Sequence, residues 1–164
     1  MCSFAARSVT LLALLVSSNA AYAADVDVRP TMARVEALLT SVGVDVAGYA
    51  ATEPPAVERS PANHPYLQGN DGGYVPGRIY INEDALEDCL DLTLIHEMVH
   101  DASMKFKLFA TAPNNRIRDL YEALADAVTS AAAEDPYRPG CLPNRRFEIS
   151  SLDLPALAAA AAAP

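Results

Sequence analysis

Leu94-Ile95-His96-Glu97-Met98-Val99-His100-Asp101 is the stretch on which the reading of this chain turns. It carries H-E-x-x-H inside an apolar run of helical character. Side chains four residues apart stack on one face of an α-helix, so His96 and His100 can offer two imidazole nitrogens to one metal ion. Glu97 lies about 100° further round the helix, placed to reach a water beside the metal rather than the metal itself. Two ligands on one face with a general base next to them is the physical content of the zinc-hydrolase motif. Coincidence is the competing explanation, since three fixed positions in five recur by accident. Yet the chain has His 3 in total and two of them fall here. A His-Glu-His cluster without a partner would also be costly to bury among apolar neighbours.

Working outward, His96, His100, Thr93 and Cys89 share one sector of the helical wheel, while Leu92, Leu94, Ile95, Met98 and Val99 fill most of the rest. A helix apolar on nearly every side is buried, so the ligand face is expected to look into a cleft. From Glu83 to Phe106 there is neither Gly nor Pro, which fits one long helix or two abutting ones. Asn82 is then the expected N-cap, with Asp84-x-x-Glu87 as a capping box. Just before it, Arg78 to Asn82 (RIYIN) is the best strand in the chain, with Ile79 and Ile81 on one face. Ala56 to Ser60 reads as a second, edge strand because prolines flank it. The stretch 45–73 around that edge strand is rich in Pro, Gly, Ala and Asn and otherwise reads as loop.

Further upstream, Pro30 opens and Gly43 closes an amphipathic helix from Thr31 to Val42, with Met32, Val35, Leu38, Leu39 and Val42 as its apolar positions. This helix is expected only to cover the core. Downstream, a strong helix runs from about Asn115 to Ala133, and Arg146 to Ser150 reads as a short strand or extended tail. The pattern is α+β, mainly helical, with a small sheet packed beside the motif helix.

A zinc site needs a third protein ligand and a water. Ser103 and Phe106 stand where a metzincin needs Gly and His, which excludes that class. The later helix offers Asp119, Glu122 and Asp126. Glu122 is preferred because Asp126 follows one turn on, able to accept the distal N–H of a ligating imidazole and fix its orientation. Against this, Ile117, Leu120, Tyr121, Leu124 and Val128 form that helix's apolar stripe, and three acids on the opposite side describe an ordinary solvated face. Asp126 and Asp119 therefore stay open as substitutes. His64, in Pro61-Ala62-Asn63-His64-Pro65-Tyr66, is a candidate third ligand or transition-state donor and otherwise a plain loop histidine. Cys89 is no ligand to the same ion: seven helical residues put it about 10 Å from His96.

H-E-x-x-H followed some twenty residues later by a helical E-x-x-x-D resembles the gluzincin branch of the zincin metallopeptidases. The resemblance covers about fifty residues, from Gly77 to Asp126. It implies a minimal zincin-like domain in which His96, His100 and Glu122 bind Zn2+, Glu97 is the general base and Asp126 the partner behind a ligand. It also implies that the strand Arg78 to Asn82 aligns an extended substrate. The chain is far shorter than a thermolysin-like enzyme and has no evident counterpart of the downstream His that steadies the oxyanion. Tyr121, Tyr80, Tyr66 and His64 are the donors the sequence offers in its place.

The ends of the chain bear on location. Arg7, the apolar run Val9 to Val16 and Ala21-Tyr22-Ala23 read as a signal peptide, residues 1–23, cleaved after Ala23. Residues 24–154 then form a single domain, and 155–164 a low-complexity alanine-rich tail. Cys89 and Cys141 remain as an even pair in an oxidising compartment, where a disulfide is expected. The formal net charge of −9 argues against nucleic acid or anionic lipid as partners, and no later segment is apolar for long enough to span a membrane. These features lead to the expectation of an exported, periplasmic or secreted monomer, and the zincin resemblance implies that it hydrolyses peptide or protein substrates. The alternative is a non-catalytic zincin-like binding module of the cell envelope, which intact Glu97 disfavours. A third reading, a disulfide-stapled helical domain with packed histidines, is purely structural.

Overall fold

A computed structural model describes residues 27–108, 115–133 and 141. The expected signal segment, the Arg146 to Ser150 strand and the alanine tail lie outside these residues. Helix α1 (Arg29–Ser41) begins two residues before the expected start, because Pro30 tolerates the first turn, where its missing N–H has no helical partner. Its Met32, Val35 and Leu39 are buried at helical spacing. It ends as expected at Gly43: with φ at 82°, Gly43 donates to the Thr40 carbonyl and Val44 to the Leu39 carbonyl, both at 3.0 Å. That double closure needs a left-handed residue, which glycine adopts without steric cost.

Three strands follow: β1 (Ala56–Ser60), β2 (Gly72–Val75) and β3 (Arg78–Asn82). They form one sheet in the order β1-β3-β2, with β1 parallel and β2 antiparallel to β3. Strands β1 and β3 lie where the sequence puts them. Strand β2 was not expected, since its two glycines read as punctuation. The tight connection Pro76-Gly77 joins β2 to β3; proline holds φ and Gly77 supplies the positive φ of 80° that such a turn demands. In β3, Ile79 and Ile81 are fully buried against the helices. Tyr80 faces the other way, stacked beneath His64 at 4.4 Å and Tyr66 at 5.3 Å.

One expectation fails here. Strand β3 cannot align a substrate through its backbone, because it is the middle strand and both of its edges are already paired.

Helix α2 (Leu90–Lys105) carries the motif. It starts later than the Asn82 cap suggests. The Asn82 side chain instead accepts the Asp84 N–H at 3.0 Å, making a turn. Leu86 is extended (ψ 125°) and a 3-10 turn, Glu87–Cys89, leads into the helix. Burial runs nearly all round α2, from Leu92, Leu94 and Ile95 to Met98, Val99 and Ala102, as its wheel requires. Helices α1 and α3 (Asn115–Ala132) and the sheet all pack against it. The Arg34 guanidinium donates to the Ala132 carbonyl, tying the end of α3 to α1. The architecture is thus α+β, three helices and a small mixed sheet arranged about α2. Among the described residues, no helix is long and apolar enough to cross a membrane.

Cys89 and Cys141 are bonded, with their Cα atoms 5.0 Å apart. The bridge fastens the start of α2 to the chain beyond α3 and closes a loop with a sequence separation of 52. Loop-closure entropy for that length is worth up to about 4 kcal/mol. The Cys141→Ser variant is therefore expected to unfold at lower denaturant concentration than the parent. Reducing the parent should bring its urea midpoint down to that of the variant.

Candidate metal centre

The two histidines stack as the four-residue spacing dictates, with Nε2 of His96 and Nε2 of His100 3.3 Å apart. Helix α3 runs antiparallel across them. Its Glu122 carboxylate places Oε2 3.4 Å from Nε2 of His96 and 3.7 Å from Nε2 of His100. These three atoms form a group that could hold a metal ion. The geometry tests the fit: a point equidistant from atoms separated by 3.3, 3.4 and 3.7 Å lies about 2 Å from each, the length of a metal–nitrogen or metal–carboxylate bond. Asp126, one turn beyond Glu122, sits 3.4 Å from Nδ1 of His96, on the side of the ring away from the site. The imidazoles of His100 and His96 hold the Glu122 carboxyl well below the usual carboxylate range.

Glu97 is 6% exposed, and its carboxylate has no hydrogen-bond donor among the described residues. Burial pushes its carboxyl up to about 7; the neighbouring His96 pulls it back and Glu122 adds to the rise. A buried carboxylate left without donors is expensive. Such a group beside three candidate ligand atoms is placed to take up a proton. The close approach of β2 makes this packing feasible. A Cβ on Gly72 would lie 2.6 Å from Oε1 of Glu97 and 2.8 Å from Cγ2 of Thr93. Only glycine lets the strand lie against the helix there.

Among the described residues the outer edge of β2 is unpaired, and it has a defined pattern. Its register pairs Gly73 with Tyr80 and Val75 with Arg78, and Asn82 donates to the Asp71 carbonyl at 2.8 Å. Hydrogen-bonded pairs alternate along an antiparallel ladder, so Gly72 and Tyr74 are the residues whose N–H and C=O turn outward. This edge, α2 and α3 together bound a cleft of about 870 Å³ containing His96, Glu97, His100 and Glu122. That volume is in the range of ligand sites. Two of the exposed large hydrophobic residues, Tyr66 and Met104, also line it.

The structure thus brings His96, His100, Glu97, Glu122 and Asp126 together. Asp119 lines the cleft but is not in the three-residue group. His64 belongs elsewhere: its ring stacks on Tyr80 and its Nδ1 lies 3.4 Å from the Tyr66 N–H. Of the other donors considered for an oxyanion, Tyr80 is buried under that loop, whereas Tyr66 and Tyr121 line the cleft. Sequence reasoning missed Gly72, Tyr74 and Arg118, all of which line it too. A Gly-Gly-Tyr-Val-Pro-Gly run was the available signal for the first two, since a proline-glycine turn before a good strand marks a hairpin.

No protein-family model matches the chain, and no curated protein or solved structure does either.

The raised Glu97 carboxyl has a consequence for stability. Between its ordinary value of 4.5 and about 7, the folded chain holds a proton that the unfolded chain has released. Stability of the metal-free protein therefore falls as pH rises through that window. The loss is on the order of 3 kcal/mol by pH 8. The Glu97→Gln variant, stripped of metal, should lack this decline and be the more stable protein at pH 8. Chemical denaturation across pH 4 to 8 in the presence of a chelator measures both.

Proposed function

We propose that this protein is an exported zinc-dependent metallopeptidase of zincin-like design. One observation carries the reading: an H-E-x-x-H helix whose two imidazoles meet a carboxylate from another helix at ligand spacing, with a buried, donor-free glutamate beside them. Two nitrogens and one carboxylate oxygen are the donor set of catalytic zinc sites that keep a position open. When bound, zinc supplies Lewis acidity, polarising a carbonyl and lowering the pKa of a water.

The chain's own residues do the rest. His96, His100 and Glu122 hold the ion, and Asp126 steadies the His96 ring from behind. Glu97 takes the proton of the attacking water and passes it to the departing amine nitrogen. The outward N–H and C=O groups of Gly72 and Tyr74 pair with an extended peptide laid along β2. This transfers to β2 the aligning role that the resemblance assigned to β3. Tyr66, Tyr121 and Arg118 are the donors in the cleft from which oxyanion support is drawn. The signal-like first 23 residues and the Cys89–Cys141 bridge support a periplasmic or secreted location.

Purified protein is expected to bind one zinc ion and to cleave unstructured peptides, losing activity to a chelator and regaining it with zinc. Glu97→Gln should keep the metal while hydrolysis falls by about two to four orders of magnitude. His100→Ala should lose the metal itself. Full zinc occupancy with no cleavage across a diverse peptide mixture would overturn the enzyme reading and leave a metal-binding module.

A further inference from the structure

The two histidines are not supported alike. His96 has Asp126 behind its ring at 3.4 Å, while His100 has no carboxylate behind it among the described residues. What lies against His100 is the ring of Tyr74, nearly parallel to it at an interplanar angle of 21° and 6.4 Å between centroids. Tyr74 does not stop there. Its hydroxyl reaches past His100 to donate to Oδ1 of Asp101 at 3.2 Å.

Asp101 is fully buried. Its other oxygen, Oδ2, accepts from the Tyr49 hydroxyl at 3.0 Å and from Nζ of Lys105 at 2.7 Å. Lys105 in turn binds the Glu53 carbonyl at 2.5 Å. The carboxylate is therefore satisfied by a cation and two phenols from three separate parts of the chain, a network that fixes position because each member would be costly to strand. Burial, with the Asp101 charge adding, pushes both phenols above their ordinary value, so both remain donors.

We infer that Tyr74, anchored on Asp101, is the positioning residue for the metal ligand His100, orienting its ring by packing where Asp126 orients His96 by charge. The same side chain belongs to the residue whose backbone N–H and C=O face the cleft, so one anchor sets both the ring of a ligand and the edge of β2. Asp101, which does not line the cleft, acts through Tyr74. The inference rests on His100 being a metal ligand, as proposed above, and on nothing concerning hydrolysis.

Zinc affinity of the full chain, measured by competition with a chromophoric chelator, tests it. Wild type, Tyr74→Phe, Tyr74→Leu and Asp101→Asn are compared, with thermal unfolding of each metal-free protein recorded alongside. Tyr74→Leu is expected to weaken zinc about tenfold or more, the size of effect seen when a ligand's outer support is lost. Tyr74→Phe keeps the ring and should recover most of that affinity; Asp101→Asn, which still offers the Tyr74 hydroxyl an acceptor, should lose no more than Tyr74→Phe does. A purely structural role predicts lower melting temperatures with zinc affinity unmoved, and that result overturns the inference. Equal losses in the Phe and Leu variants overturn it too, because ring packing would then not be the cause. If wild type binds no zinc at all, the metallopeptidase reading fails and takes this inference with it, an outcome separable from the others by the wild-type titration alone.

Discussion

The antiparallel seam between α2 and α3 is the constraint from which the rest follows. A four-residue spacing guarantees that two imidazoles share a face, but it cannot bring a third ligand. That depends on Leu124, Ala125 and Val128 of α3 burying themselves against the same core as Ile95, Met98 and Val99. Once those apolar residues meet, α3 has one rotation and one height, and Glu122 arrives within 3.4 Å of His96. The polar geometry is set by hydrophobic packing, whose free energy is far larger than any single ion pair at this partly exposed site.

Much of this was legible beforehand because it is periodic. The motif helix, α1 with its Pro30 start and Gly43 stop, the strand Arg78–Asn82 and the acidic ladder Glu122–Asp126 all announce themselves through spacing. The disulfide was legible through arithmetic. What stayed hidden was tertiary in origin. Strand β2 carries two glycines because a backbone must pass close to Glu97 and Thr93 on one face and to the Tyr66 carbonyl on the other, and glycine at such a site looks, in sequence, like a loop. The rank of β3 as a middle strand was hidden for the same reason, since an unseen neighbour cannot be counted. Asp101 could be read only as the residue after His100; its network joins positions 49, 74, 101 and 105, which no local pattern connects.

His64 shows how a loop histidine resolves into its plainer reading. A histidine in a loop beside a metal motif invites a ligand role, yet a short aromatic loop over an exposed sheet face has its own use for a flat ring. Stacking on Tyr80 at 4.4 Å covers the outer side of the central strand, which would otherwise present an apolar ring to water. The sequence holds both uses at once, and only packing selects between them.

The site also explains a tension in the core. Glu97 occupies a position where an apolar side chain would stabilise the fold, and nothing among the described residues donates to it. Glu122 is held in place by two rings, although its side chain is 52% exposed. A cation held at the point between the three candidate ligand atoms would offset the cost at Glu97 by stabilising its charged form, and would tie an exposed side chain of α3 to the buried helix α2. Binding that favours the folded chain adds directly to its stability. The helix seam that apolar contacts assemble is therefore the one a metal would tighten, and it would relieve at Glu97 a cost that the metal-free fold carries.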